Sequence, residues 1–170
     1  MHRRRSTIRA DIRIVPLEER HFEGYRACLG DVARERKYLC FVDAPPLADS
    51  RSFLSAALAK KAPFFVAVAG RRVVGWCDIY ASSLEGFRHS AKLGIGIIEE
   101  FRGQGIGRRL MKATLAAARR RGLKRVELEV FASNRNAIKL DKDLNFKTEG
   151  IKRKARKIDG HYDDIVVMAK

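Results

Sequence analysis

The chain has 170 residues, 46% of them hydrophobic, and carries 36 Lys and Arg against 20 Asp and Glu, a formal net charge of +16. That length fits one domain able to bury a core without metals or disulfides. The 13 Gly, 4 Pro and 3 Cys exclude collagen-like, low-complexity and disulfide-scaffold chains, and the charge calls for a polyanionic partner, a phosphate-bearing ligand or solubility alone.

No apolar run approaches the roughly 20 residues of a membrane span. The opening Met-His-Arg-Arg-Arg-Ser has charge but no apolar stretch behind it, so it does not read as a secretory signal. Cys28, Cys40 and Cys77 cannot all pair with one another, and none lies in a CxxC or a Cys/His cluster. They predict buried thiols in a reducing, cytoplasmic setting and no metal site.

Residues 1–7 read as a basic leader and 8–170 as a single domain. Ile8, Ala10, Ile12 and Ile14 alternate with polar residues, a half-buried strand that Pro16 ends. Residues 18–38 suggest two short helices broken near Gly30. After the Ala44-Pro45-Pro46 loop, Asp49 or Ser50 can cap a helix running to about residue 61. Pro63 opens a strand through Ala69, Gly70-Arg71 makes a turn, and a second strand covers 72–80. A polar loop spans 81–90.

The second half is more regular. A strand over 91–98, a helix over 105–121 and a strand over 125–131 make a βαβ unit, whose strands run parallel. A helix from about 134 to 144 follows. Two long strands close the chain, joined at Asp159-Gly160, a strong hairpin signal. The fold class expected is α/β, with a mixed, mostly antiparallel sheet, one central parallel pair and flanking helices.

Within 91–98, Leu93, Ile95 and Ile97 alternate with Gly94 and Gly96. Glycines weaken a strand, so two in register imply the close approach of a ligand or another backbone, or a twist or bulge. Arg102-Gly103-Gln104-Gly105-Ile106-Gly107 then opens a helix. Such a turn can curl its amides inward, and the helix start adds free N–H groups and a positive dipole end. That is an anion site suited to a pyrophosphate. The spacing is neither GxGxxG nor a P-loop. Between Arg102 and Arg125 there are nine Lys and Arg and no acid.

Arg102-x-x-Gly105-x-Gly107 resembles the Arg/Gln-x-x-Gly-x-Gly/Ala signature of the GNAT superfamily of acetyl-CoA-dependent N-acetyltransferases. The stretch from Val130 to Leu140, with Asn145-Phe146 beyond it, is similar to that family's second conserved block. The resemblance implies acetyl-CoA as cosubstrate and no metal. The main chain of Ile95 and Ile97 would pair with the pantetheine arm, with Gly94 and Gly96 leaving room. Amides from Gly103 through Gln104, Gly105, Ile106 and Gly107 to Arg108 would hold the pyrophosphate, with Arg102, Arg108 and Arg109 near it. Asn134 would contact the cofactor arm, cap its helix, or both. The strands over 91–98 and 125–131 would splay, admitting acetyl-CoA from one side and the amine from the other.

The sequence departs from the family at two places: Lys142-Asp143-Leu144-Asn145-Phe146 stands where similar chains read Glu-Lys-x-Gly-Phe, and the residue just before it differs too. Where similar proteins carry a Tyr as general acid toward the departing thiolate, this chain has Asp141. Ala137, Leu140, Asp141 and Leu144 share one helical stripe, so a carboxylate there must be paired, hydrated or raised in pKa. For a general base, Glu129 is the choice carried forward; Glu127, Glu99, Glu100, Asp78 and a water chain are the alternatives. Tyr38, Phe41 and Tyr162 lie in stretches that resemble amino-acid and small-amine members, and they are candidates for lining the acceptor pocket.

The leading expectation is acetyl transfer to a primary amine of an amino acid or other small molecule. A protein N-terminus, of the ribosomal-protein type, is the alternative acceptor. A basic nucleic-acid-binding module and a non-catalytic CoA sensor are the readings from other classes, the first without interleaved aromatics. A homodimer is an expectation by analogy only.

Overall fold

A computed structural model describes residues 11–170. The leader and the Ile8–Ala10 part of the first predicted strand lie outside the described residues. Seven strands form one sheet: β1 (Ile12–Pro16), β2 (Phe64–Ala69), β3 (Arg72–Ala81), β4 (Ser90–Ile97), β5 (Arg125–Phe131), β6 (Lys147–Ile158) and β7 (His161–Ala169). Their order is β1-β2-β3-β4-β5-β7-β6, and only β4–β5 is parallel. The mixed sheet with one central parallel pair is the one expected. The helices are α1 (Phe22–Arg34), α2 (Leu47–Ala59), α3 (Ile106–Arg120) and α4 (Arg135–Asp143).

Two helix expectations need correction. α1 runs unbroken through Gly30. A Cβ at Gly30 would come within 3.0 Å of Ala44, so this glycine admits the following loop rather than ending the helix. α2 begins earlier than expected, with Pro46 as N-cap and no side-chain cap; Asp49 falls inside its first turn. A fixed proline φ suits a helix start.

The helices cover opposite faces of the sheet. Trp76 of β3 meets Tyr25 of α1 edge-on at 5.5 Å. Its neighbour Gly75 faces Leu110 of α3, as strand alternation requires. Leu54, Val66, Val74, Ile79, Leu110 and Met168 lie at the centre of the core, fully buried. Cys28 and Cys77 are buried as expected, but Cys40 is exposed. No helix of the described residues is long and apolar enough to cross a membrane.

Gly96 has a structural reason other than ligand approach. A Cβ there would lie 2.2–2.7 Å from the Trp76 ring carbons. Gly96→Ala should therefore destabilise the protein by about 1–3 kcal/mol through overpacking, read as a lower urea midpoint. An unchanged midpoint would mean that the indole moves freely.

Candidate active site

The parallel pair is short. Ser90, Ala91 and Lys92 face Arg125, Val126 and Glu127, and no register continues beyond them. β4 stays paired with β3 as far as Ile97, and β5 with β7 as far as Phe131. The facing edges therefore splay apart after Lys92. The gap is a cleft of about 550 Å³, lined by Tyr38, Ile95, Asn134, Ala137, Asp141 and Arg156 among others.

Main-chain polarity along β4 follows from its pairing. Ser90 accepts from Ser82 N, and Ile98 donates to Val74 O, at 3.2 and 3.1 Å. Even-numbered residues thus bond toward β3, and the antiparallel alternation turns Ile95 and Ile97 toward the cleft. The Ile97 carbonyl is already engaged there, by Arg102 Nε at 2.8 Å. The backbone polar groups of Ile95 are aimed as an added strand would need them.

At the end of β4 the chain makes the expected glycine turn. Gly103 and Gly105 are left-handed, with φ of 72° and 78°, and a Cβ on either would meet nothing within 4 Å. Gly105 is the N-cap of α3, which has no side-chain cap. The first amides of α3 thus face an open cradle, and a pyrophosphate fits it on geometry and on the sign of the helix dipole. Gly107 serves packing: a Cβ there would meet Leu140 of α4 at 3.1 Å and Ile97 at 3.3 Å. Ile106 is buried in the core, so only its amide can serve a ligand. Gln104 is exposed, and its side chain bonds back to Glu100 O at 3.3 Å.

The arginines near this turn are less free than the sequence suggests. Arg102 forks onto Glu35, with Nη1 to Oε2 at 2.8 Å, and stacks 4.6 Å over the Tyr38 ring. It joins the end of β4 to the segment after α1. Arg109 donates to Ile12 O at 2.7 Å and holds β1. Arg108 pairs with Asp143 at 2.8 Å, half-exposed. Arg108 is the one of the three closest to the first turn of the helix, and its ion pair is exposed enough to exchange for a phosphate at little cost.

α4 and its N-cap bring two polar side chains to the cleft, Asn134 and Asp141, beside Ala137 and Leu140. Asn134 caps the helix, with Oδ1 accepting from Ala137 N at 3.2 Å. Asp141 is 3% exposed, and burial alone raises its pKa from 3.8 to about 7. Among the described residues it has neither a salt bridge nor a side-chain hydrogen bond. Of the three states open to it from the sequence, pairing with another side chain is not what the described residues show, and the direction of its pKa is upward through burial.

A second pocket of about 470 Å³ lies against the α1/α2 face. Tyr25, Phe41, Phe53 and Trp76 give it an aromatic lining, with Asp78 among the polar groups. Asp78 is 6% exposed, and burial raises its pKa to about 7, offset only in part by the Trp76 indole. A Cβ at Gly94 would lie 3.2 Å from Asp78 Oδ1, so that glycine makes room for the carboxyl. Leu39, Cys40, Gly94 and Ile95 line both pocket and cleft. The two spaces therefore meet at the splay.

The other candidates separate. Phe41 lines the aromatic pocket, but Tyr38 lines the cleft on the opposite side. Tyr162 lines neither; it is exposed, flanked by the Lys154 and Lys157 ammonium groups at 5.6 and 5.1 Å. Glu129 reaches the cleft wall yet is paired to Lys152 at 2.6 Å and exposed. Asp78 is the better-desolvated carboxyl, and the sequence holds its signal: it is the only charged residue among the buried positions of Val73 to Ile79. Arg156 went unnoticed in the sequence. An irregularity in β6, where the register shifts between Lys152 and Arg156, accompanies its placement over the Phe131 ring at 4.4 Å. There it donates to Arg36 O at 2.8 Å. Among the described residues, no group of three or more His, Cys, Asp or Glu is arranged to hold a metal.

The fold and cleft have parallels among known proteins. The uncharacterized N-acetyltransferase YycN of Bacillus subtilis is 32% identical over 74 residues, which are 44% of this chain and 47% of that protein. The match thus spans about half the length of that relative. A ribosomal-protein-alanine N-acetyltransferase from Brucella melitensis superposes with a TM-score of 0.86 at 24% identity, over 93% of this chain and 98% of that one. A GNAT superfamily phosphinothricin acetyltransferase from Sinorhizobium meliloti, solved with AcCoA, superposes with a TM-score of 0.87 at 17% identity, over 94% and 87%. Residues 30–146, which hold the glycine turn, the splayed strands and both buried aspartates, match the model of the acetyltransferase (GNAT) family, and the chain belongs to that family.

Proposed function

We propose that the protein is an acetyl-CoA-dependent N-acetyltransferase acting on a primary amine of a small molecule. One observation carries this reading: two spaces meet at the splay of β4 and β5, the cleft and an aromatic pocket, each lined by one buried aspartate whose pKa desolvation raises. Gly103 to Arg108 hold the pyrophosphate through main-chain amides, the Ile95 main chain pairs with the pantetheine arm, and Asn134 lines its path. Acetyl-CoA supplies the acetyl group as a thioester and leaves as the thiol.

This chain's own groups manage the protons. Asp78 takes a proton from the incoming ammonium, which frees the nitrogen lone pair for attack. The new C–N bond forms as the C–S bond breaks. Asp141 holds a proton up to about pH 7 and gives it to the departing sulfur; the acylated nitrogen then sheds its second proton, which restores Asp141, and Asp78 releases its proton to solvent. Burial raises both pKa values, so their positions, one in each space, divide the roles. No covalent acyl-enzyme is needed.

The acceptor space favours a small molecule over a protein N-terminus. Residues 35–46 border it, and they are fastened to the β6–β7 hairpin. Arg36 forks onto Asp159 at 2.7 and 2.9 Å, and Arg156 holds the Arg36 and Leu39 carbonyls. A peptide would need an open groove where this segment lies. The aromatic lining and the single buried carboxyl suit a cationic amine with an apolar body.

The test is release of free thiol from acetyl-CoA across a panel of amines, amino acids and N-terminal peptides. Turnover with compact aromatic or apolar amines is expected, and turnover confined to peptides would overturn the acceptor assignment. Acetyl-CoA binding without release by any amine would instead point to a sensor. A second expectation concerns the cradle. Gly105→Ala places a Cβ at φ 78°, which costs about 1–2 kcal/mol, and should raise KM for acetyl-CoA about tenfold with kcat little changed. An unchanged KM would remove the turn from the cofactor site.

A further inference from the structure

A further cavity lies in neither of these places. It holds about 670 Å³ and lies between the C-terminal end of α2, the end of β3 and the C-terminal end of α3. α3 is 15 residues long, so its last turn lies about 20 Å from the glycine turn at its start. The cavity floor is apolar, from Ala56, Ala57, Pro63, Ile79 and Leu123. Lys60, Arg88 and Arg121 are its only charged lining residues, with Ser82 and Ser83 beside them. No carboxylate lines it. We propose that this cavity is a second ligand site, for an anion carrying an apolar body, such as an aryl or alkyl phosphate or carboxylate.

Two of the three cations have another use. Lys60 and Arg121 are the C-caps of α2 and α3, where positive charge answers the helix dipole, and Arg121 donates to Lys60 O at 2.9 Å. Arg88 caps only a three-residue turn, too short to carry a helix dipole. It follows the short turn at Glu85–Phe87, and among the described residues neither it nor Lys60 nor Arg121 forms an ion pair. Residues 1–10 contain no acid that could supply one. Three unneutralised cations around an apolar hollow make a surface that repels cations and rewards a buried anion.

The site is separate from acetyl transfer but not remote from it. Phe53 lines both this cavity and the acceptor pocket, and its ring packs 5.0 Å from that of Tyr80. The apolar ligand body would rest against the back of the acceptor wall.

Phenyl phosphate is a suitable probe, titrated calorimetrically into protein saturated with coenzyme A so that the glycine turn is occupied. One saturable site is expected, at least about tenfold tighter than for inorganic phosphate, because the ring buries apolar surface. Arg88→Gln should weaken it about tenfold or more, as loss of a charged hydrogen bond implies, without changing thermal stability or coenzyme A affinity. Lys60→Gln should weaken it in the same direction. Absence of saturable binding, binding abolished by coenzyme A, or equal affinity in Arg88→Gln would each overturn the proposal. Because binding is read directly, none of these outcomes depends on whether the protein acetylates an amine.

Discussion

Asp78→Asn is expected to lower kcat/KM for the amine by about 10²-fold or more, within the range of a lost general base. The variant keeps the size of the side chain and the packing beside Gly94. It loses only the ability to accept a proton. The effect should shrink as pH rises toward the pKa of the free amine, because an already neutral amine needs no base. A loss of the same size at all pH values would assign Asp78 to binding rather than proton transfer. Glu129→Gln, by contrast, removes only an exposed partner of Lys152 and should change turnover less than threefold, consistent with the small worth of such pairs.

Asp141→Asn should lower kcat by about 10²-fold with KM for acetyl-CoA little changed, the pattern for an interaction made only in the transition state. A thioester with a more acidic thiol leaves without help, and it should recover most of the lost rate. Failure of that substrate to recover the rate would make Asp141 a positioning residue. The same substitution has an opposite effect on stability. The folded protein holds both Asp78 and Asp141 at about 7 against 3.8 in model compounds. A raised folded-state pKa means that ionisation opposes folding: no penalty exists below about pH 4, and it grows as pH rises through about 7. At about 1.4 kcal/mol per pKa unit, the ceiling is about 4 kcal/mol for each carboxyl. Each Asn variant should therefore melt higher than the parent at pH 8 and equally at pH 4. Carboxyls that weaken the fold at working pH are retained most readily where chemistry uses them.

Much of this arrangement was legible in the residues. The glycine turn, the βαβ unit and the Asp-Gly hairpin each rest on local chemistry, and each appears where the spacing put it. Asp159 and Gly160 both take positive φ, 50° and 78°, as a type I′ turn demands. Asp141 stood out because a carboxylate sat in an apolar helical stripe. What the residues could not convey was partnership across long separations. Glu35 is 67 positions from Arg102, and nothing local marks it as the residue that draws that guanidinium off the phosphate turn. Gly94 and Gly96 looked like cofactor clearance, but each serves a side chain on the neighbouring strand, Asp78 and Trp76. Tyr38 and Phe41, three residues apart, fall on opposite sides of the splay, because the chain crosses it at Leu39 and Cys40.

The positive charge is now partly placed. Arg102, Arg109, Arg36 and Arg156 are structural clamps on carboxylates or carbonyls. The glycine turn, as proposed, would hold phosphate through main-chain amides more than side chains. Lys60, Arg88 and Arg121 surround the cavity at the far end of α3.

The most direct measurement is the pH dependence of kcat/KM from pH 5 to 9, with acetyl-CoA and the best amine of the panel, in the parent protein and in Asp78→Asn. Asp78 must be charged to accept a proton, so the rate should rise as pH increases through about 7. Asp141 must be neutral to donate, so the rate should fall above about 7. The parent should give a narrow bell centred near neutrality, and Asp78→Asn, which depends on the already neutral amine, should lose that maximum and stay level above about pH 7. A parent profile that climbs monotonically to pH 9 with the slope of the free amine alone, unchanged in Asp78→Asn, would contradict the assignment of both carboxyls.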